Sequence, residues 1–199
     1  MKYAFIDFQN TDSTTKKLLG FSIDWIKLFD FLKNKWKCEK VFFYIGVDEG
    51  DLGTTTMLEE LERRGCSIRA KIVFAYKNKD KELNISCPSC SYKFIERVDM
   101  GYSKKSNCDV DLTVDAMELA GSDSIFYLFT GDGDFEFLIR NINAKGTKVR
   151  VVSSSKKIKS GPNYFTSRLS TKLRKLFAEN PDKADFININ NLKISIQKD

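Results

Sequence analysis

Five short apolar runs, spaced by helical patterns, constrain this chain more than any other feature. YAFID, KVFFYIG, SIRAKIVFA, SIFYLFTG and TKVRVVS are rich in β-branched and aromatic residues and bounded by Gly, Asp or Ser. Strands buried on both faces read this way. Between them lie FSIDWIKLFDFLKNKW, TTTMLEELERRG, DVDLTVDAMELAG and DFEFLIRNINAKG. The first of these carries Ile23, Ile26, Leu28, Phe29 and Leu32 at helical spacing, and three of the four run into or near a glycine, the residue suited to a helix C-cap. Strand-helix alternation predicts an α/β fold: a three-layer α/β/α sandwich with a mainly parallel sheet of about five strands, Rossmann- or flavodoxin-like. With 199 residues, 42% of them hydrophobic and sixteen of them Phe, the chain can bury a full core, so one domain over 1–199 is expected.

Two segments depart from the alternation. Residues 77–102 contain NISCPSCSYKF, with apolar and polar residues alternating on both sides of Cys87-Pro88-Ser89-Cys90. They read as an inserted β-hairpin with a tip like half of a zinc ribbon. A structural Zn²⁺ there would need two more ligands, from Cys38, Cys66 or Cys108 or from a second subunit of a homodimer; a plain hairpin and a redox pair are the alternatives. Near the C-terminus, a basic region at 156–178 is expected to hold a last helix from Tyr164 to Phe177. DFININNLKI follows it, either as an edge strand or packed across the sheet.

In parallel sheets of this kind ligands bind beyond the carboxyl ends of the strands, at the switch point in strand order. Asp7 closes the first strand, Asp132 and Asp134 follow the fourth, and Asp109 stands where the third helix should begin. If strands one and four are neighbours, these carboxylates converge. Crowded carboxylates oppose folding unless a cation joins them, and a hard divalent ion with oxygen ligands is the usual solution. The competing reading is local: Asp109 and Asp134 as helix N-caps and Asp132 as a turn residue. An EF-hand loop does not fit, because positions six and twelve counted from Asp132 are Phe137 and Asn143 instead of Gly and Glu.

Composition removes other chemistries. The chain has no histidine, which excludes Ser-His-Asp hydrolysis, Cys-His proteolysis and histidine-ligated metal. Five cysteines, without disulfide-framework spacing, suit a reducing compartment, and no apolar run approaches the roughly 18–20 residues of a membrane span. A cytoplasmic protein without membrane anchor or signal peptide is the expectation. Charge is segregated: Asp99 to Glu136 holds nine acids and two bases, whereas Phe137 to Ala178 holds eleven bases and no acid. An acidic focus beside a basic stretch suits an enzyme that holds a polyanion and cuts it with metal, although lysines on a solvated face would also read so.

Three motifs, FIDFQN, DVDLTVDAM and LFTGDGDFEFLIRNINAKGTKVRVVS, resemble in order and spacing those of the NYN domain family (LabA-like, DUF88), a branch of the PIN-like nuclease superfamily. The resemblance covers nearly the whole chain apart from the hairpin. It implies a metal-dependent nuclease, most readily acting on RNA, with Asp7, Asp109, Asp132 and Asp134 around Mg²⁺ or Mn²⁺. It places Asn10 in the same pocket and makes Asp115 and Thr130 supporting residues. Asp7 and Asp132 would bridge or ligate metal, and Asp109 and Asp134 would complete the shell or hold metal-bound water. Phe8 replaces the family's glycine, to narrow the cleft or stack on a base, and Thr130 replaces its serine while keeping the hydroxyl. Lys104, Lys105, Lys156, Lys157 and Lys159 could grip phosphates, and Tyr102, Tyr164 and Phe165 could stack single-stranded nucleotides. A catalytically silent nucleic-acid- or protein-binding module on the same fold is the alternative. A Toprim domain is disfavoured, since it expects a glutamate where Asp7 stands.

Overall fold

A computed structural model describes residues 1–159 and 165–199, without the side chains of Lys104, Lys105, Phe165 and Thr166. The chain opens with β1 (Lys2–Asp7), short helix α1 (Phe8–Ser13), a π-helical turn (Thr14–Leu19), α2 (Trp25–Asn34), β2 (Lys40–Val47), α3 (Leu52–Arg63) and β3 (Ser67–Ile72). An arm follows: β4 (Phe74–Lys77), β5 (Lys81–Ser86), β6 (Lys93–Val98) and β7 (Tyr102–Lys105). The second half comprises α4 (Asp109–Leu119), β8 (Ile125–Phe129), a 3₁₀ turn (Gly133–Phe135), α5 (Glu136–Ala144), β9 (Lys148–Ser153), the small strands β10 (Lys157–Lys159) and β11 (Phe165–Ser167), α6 (Thr171–Glu179), β12 (Ala184–Asn188), a second 3₁₀ turn (Ile189–Leu192) and α7 (Lys193–Ile196).

The five expected strands and one edge strand form the central sheet, in the order β12-β9-β8-β1-β2-β3 and parallel throughout. The extra strand is DFININ, which pairs with β9 from Ala184↔Val149 to Asn188↔Ser153. Its asparagines and intermediate burial mark an edge, where sequence alternation is weak. The first and fourth strands of the sheet, β1 and β8, are neighbours, with Ile6 opposite Phe129. The order therefore reverses between them, and that is the switch point.

Each central strand buries both faces. In β1, Ala4 and Ile6 face a cluster with α2, α3 and α7 that includes Leu28, Leu32, Leu61 and Ile196, while Tyr3 and Phe5 face a second with α4, α5 and α6 that includes Leu112, Ile139 and Leu173. Residues of the size of Phe5, Phe43, Phe126 and Phe129, all fully buried, each contribute roughly 1.5–3 kcal/mol. That is why the strands read as nearly continuous apolar runs. Asp24, Asp51 and Ser170 cap α2, α3 and α6 through their side chains. Gly65 and Gly146, at φ 90° and 91°, end α3 and α5, whereas α4 stops at an extended Ala120 rather than at Gly121.

Two expectations are corrected. The last helix does not run from Tyr164 to Phe177: β11 occupies 165–167, paired with β10, and the helix starts at Thr171. Its N-cap Ser170 accepts from the Leu173 amide and donates its own N–H to Gly131 O at 3.0 Å, which pins the chain before the helix can begin. The inserted hairpin is also longer than 77–102. Phe74–Lys77 leaves the line of β3 at Val73, whose N–H goes to Val47 O, and pairs antiparallel with Tyr102–Lys105; β5 and β6 extend this ribbon outward.

Candidate metal centre

The switch point opens into a cleft of about 590 Å³ lined by Asp7, Asn10, Asp109 and Asp132 together with Gln9, Ser13, Tyr44, Ser106, Asn107, Cys108, Leu112 and Arg168. Asp7 arrives on the last residue of β1 and caps α1, accepting from the Asn10 amide at 3.2 Å. Thr130, fully buried at the end of β8, donates its hydroxyl to the other Asp7 oxygen at 3.1 Å and accepts from the Asp132 amide at 3.2 Å. Asn10 Oδ1 accepts from Gly131 N at 2.9 Å. Two of these links, Thr130 to Asp7 and Gly131 to Asn10, tie the loop after β1 to the loop after β8.

Asp132 also caps the 3₁₀ turn by accepting from Asp134 N at 2.9 Å. Capping and cleft-lining are therefore compatible in one carboxylate: one oxygen is used and the other is left. Asp109 is the first residue of α4, with its N–H fixed by Asn107 Oδ1 at 2.7 Å.

The electrostatics are those of a site short of positive charge. Burial raises the Asp7 carboxyl to about 6, opposed by the Asn10 and Thr130 hydrogen bonds and reinforced by Asp109 and Asp132. Burial also raises Asp109, against its Asn107 hydrogen bond, with Asp132 and Asp134 adding to the rise. Among the described residues, Asp7, Asp109 and Asp132 have no ion-pair partner. A divalent ion fits this donor set, which is all hard oxygen. The described residues do not gather three such side chains into a closed cage. Mg²⁺, which keeps several waters and takes only one or two carboxylates, does not require one.

Other expected residues fall elsewhere. Asp134 points outward, its side chain 85% exposed and 3.4 Å from Lys172 Nζ; it borders a hollow beside the cleft with Asp109. Asp115 turns to the outer flank, where Arg69 grips both of its oxygens at 3.1 Å and Tyr44 donates to it at 2.9 Å. Tyr44 lines the cleft, so Asp115 holds one of its walls through that hydrogen bond. Phe8 neither narrows the cleft nor offers a base platform: its ring packs on Trp25 and Phe43 at 4.8 and 5.6 Å. Lys156 donates to Leu18 O, and Lys157 and Lys159 are exposed on β10. Tyr102, opposite Lys77 on the ribbon, does not line the cleft. The side chains of Lys104, Lys105 and Phe165, and Tyr164 altogether, lie outside the described residues. Cys87 and Cys90 sit at the arm tip, while Cys38, Cys66 and Cys108 are buried in the body.

Sequence reasoning missed Arg168, the cation that lines the cleft and donates to Ser13 Oγ at 2.7 Å. Its signal was present but diffuse, as one of eleven bases in the acid-free stretch. Two glycines permit its approach. A Cβ on Gly131 would lie 2.3 Å from Arg168 O and 2.7 Å from Ser153 Oγ, and one on Gly133 would lie 2.6 Å from Ser170 Oγ. The G-D-G-D motif is thus partly a demand for room.

Comparison with known proteins bears on the fold and the family. A protein of unknown function from Vibrio parahaemolyticus shares the fold at a TM-score of 0.62 and 20% identity, over 99% of this chain and 95% of that one. Phosphofructokinase-2 from Escherichia coli in complex with fructose-6-phosphate reaches only 0.35 at 12% identity, over 75% and 56%, too distant to bear on fold or function. No curated protein matches the chain. The NYN domain profile matches residues 3–169, which span every cleft-lining side chain, and the chain therefore belongs to the NYN domain family of the PIN-like superfamily.

Proposed function

We propose that the chain is a metal-dependent nuclease that hydrolyses phosphodiester bonds in RNA. The observation that carries this reading is the convergence of Asp7, Asp109 and Asp132, without ion-pair partners among the described residues, on one cleft at the switch point, in a family of PIN-like nucleases. Asp7, Asp132 and Asp109 would hold Mg²⁺ or Mn²⁺, with Asp134 at the rim. When bound, the ion supplies an activated water and charge neutralisation on the phosphate, which is how a chain without histidine can perform hydrolysis.

The protein's own groups do the positioning. Thr130 and Asn10 fix the two carboxylate-bearing loops against each other, so little reorganisation remains when substrate arrives. Arg168, which lines the same cleft, would meet a phosphate there, and Lys172, Lys156, Lys157 and Lys159 would add positive charge for the rest of the strand. A hollow of about 650 Å³ adjoins the cleft through Ser106 and Asn107 and is lined by Phe74 and Tyr76, which are 60% and 56% exposed. Exposed aromatics beside a phosphate track favour unpaired bases, hence single-stranded RNA. Among the described residues no helix is long and apolar enough to cross a membrane, and the reading places the protein in the cytoplasm, where its thiols stay reduced.

Single-stranded RNA, duplex RNA and DNA, each incubated with the protein in Mg²⁺ or Mn²⁺ and beside Asp132→Asn, test this. Cleavage of the single strand that needs metal and Asp132 is expected. Cleavage indifferent to the substitution would refute the site, and binding without cleavage on any substrate would make the protein a silent binding module.

A further inference from the structure

Beyond β4 and β7 the arm lines neither the cleft nor the hollow beside it. Its outer ribbon, β5 with β6, is two strands only, and a two-stranded hairpin is marginal in water by itself. Ile85 lies opposite Phe94, and the Cys87 N–H reaches Tyr92 O at 2.9 Å. Leu83, Ile85 and Cys87 therefore share one face with Tyr92, Phe94 and, at its inner end opposite Leu83, Glu96. That face is bare: Leu83, Phe94 and Tyr92 are 37%, 42% and 69% exposed, and the Tyr92 and Phe94 rings stack on each other at 6.4 Å.

The tip continues the same face. Cys87-Pro88-Ser89-Cys90 turns back through Ser91, which is left-handed at φ 57° and donates its N–H to Cys87 O at 2.9 Å. Cys87 is half-buried and Cys90 exposed at this turn, and neither is in a disulfide. Two cysteines spaced Cys-x-x-Cys on one tight turn at a hairpin tip match one half of a ribbon-type zinc site. A redox dithiol of the thioredoxin kind would instead open a helix.

Ligand arithmetic then identifies the other half. Structural zinc takes four ligands. The chain has no histidine. Cys38 and Cys66 are packed in one core cluster and Cys108 in the other, with Cys66 bonded to Val41 O and Cys108 to Ile45 O. None of these can reach the arm tip, so two ligands must come from another chain. A second copy supplies an identical thiol pair and an identical bare apolar face, and one two-fold contact completes both.

We propose that Cys87 and Cys90 form half of a tetrathiolate zinc site, completed by a second copy of this chain whose hairpin arm packs face to face on the first. Each sulfur gives up its proton on binding, so four protons leave per zinc.

The full chain, purified with zinc and a non-thiol reductant, should contain one zinc per two chains and sediment as a dimer. Replacing zinc by Co²⁺ should give the intense thiolate charge-transfer and d–d bands of four sulfur ligands. Cys87→Ser with Cys90→Ser should lose zinc and become monomeric while the melting of the body is unchanged, since no core cluster includes either residue. Phe94→Asp, which keeps every thiol, should weaken dimerisation at least about tenfold. One zinc per chain on a monomer, a dimer indifferent to the paired serine substitutions, or no metal bound under reducing conditions would each overturn the proposal. RNA cleavage need not change in any of these variants, so this test is separate from that of the nuclease reading.

Discussion

Helix α4 carries two kinds of aspartate, and the difference between its two flanks separates function from structure. On the cleft side Asp109 stands with Asp7 and Asp132, unpaired among the described residues and, like Asp7, raised by burial and neighbouring carboxylates. On the outer side Asp111 meets Lys71, whose hydrogen bond holds its carboxyl below the usual range, and Asp115 meets Arg69 and Tyr44. The outer flank is neutralised by β3 and β2 within the chain. The inner flank has no such counter-charge among the described residues. Clustered charge without internal compensation costs stability, and folds tolerate that cost chiefly at working sites.

The sharpest way to break this contrast is to remove one inner charge without disturbing the loops. Asp132→Asn keeps an oxygen able to accept from Asp134 N, so the 3₁₀ turn should survive. Cleavage of single-stranded RNA should nonetheless fall at least about 10²-fold, the usual loss when one preorganised electrostatic group is removed. Unchanged circular dichroism together with near-normal turnover would place the chemistry elsewhere.

An outer charge should behave in the opposite manner. Asp115→Ala strips the acceptor from Arg69 and from Tyr44, whose hydroxyl is already raised by burial and by Asp115. Urea unfolding should show a loss of about 1–3 kcal/mol, with cleavage reduced only as far as the Tyr44 wall loosens. A loss of turnover matching that of Asp132→Asn, at wild-type stability, would move Asp115 into the site.

These two flanks also show what was legible in the sequence. Asp7, Asp109 and Asp132 could be found because each stands where a local pattern changes from strand or loop to helix, and because parallel strands put such junctions on one edge of the sheet. The partners of Asp115 could not. Tyr44 and Arg69 lie 71 and 46 residues away on other strands, and only tertiary structure brings them to α4. Arg168 was hidden for the same reason, since its carbonyl approaches Gly131 from across the cleft. The sheet was readable strand by strand except at its edge, where Ala184–Asn188 pairs on one side only and its apolar signal is diluted. SIRAKIVFA read as one strand but serves two ladders, a division made by the pairing of Phe74–Lys77 with Tyr102–Lys105 and not by any residue within it.

Stability of the metal-free protein refines the comparison. Because the folded Asp7 carboxyl sits at about 6 against an ordinary 3.8, the folded state binds a proton that the unfolded state does not between those values. Stability should therefore rise as pH falls from about 6 to about 4, and above 6 the charge is a standing penalty. Asp7→Asn removes it at the cost of imperfect hydrogen bonds to Thr130 and Asn10. We expect a gain of about 1 kcal/mol at neutral pH, read as a higher thermal midpoint in chelator, with the stabilisation by Mg²⁺ abolished. A lower midpoint in chelator would show that Asp7 is held in place mainly by its hydrogen bonds.

The smallest effect is expected at Lys71. Its ammonium pairs with Asp111 and donates to Asn107 O at 3.1 Å, and the two charged side chains are 44% and 33% exposed. Exposed pairs of this kind contribute little and fade with salt. Lys71→Gln should thus shift the urea midpoint slightly at low ionic strength and hardly at all in high salt. The same lysine lowers Asp109 by its charge, the weakest of the influences on that carboxyl. Its removal leaves the cleft slightly more negative, so Mn²⁺ affinity measured by calorimetry should rise modestly. A fall in affinity would mean that the outer flank is not electrically separate from the inner one, and that β3 helps to hold Asp109 ready for metal.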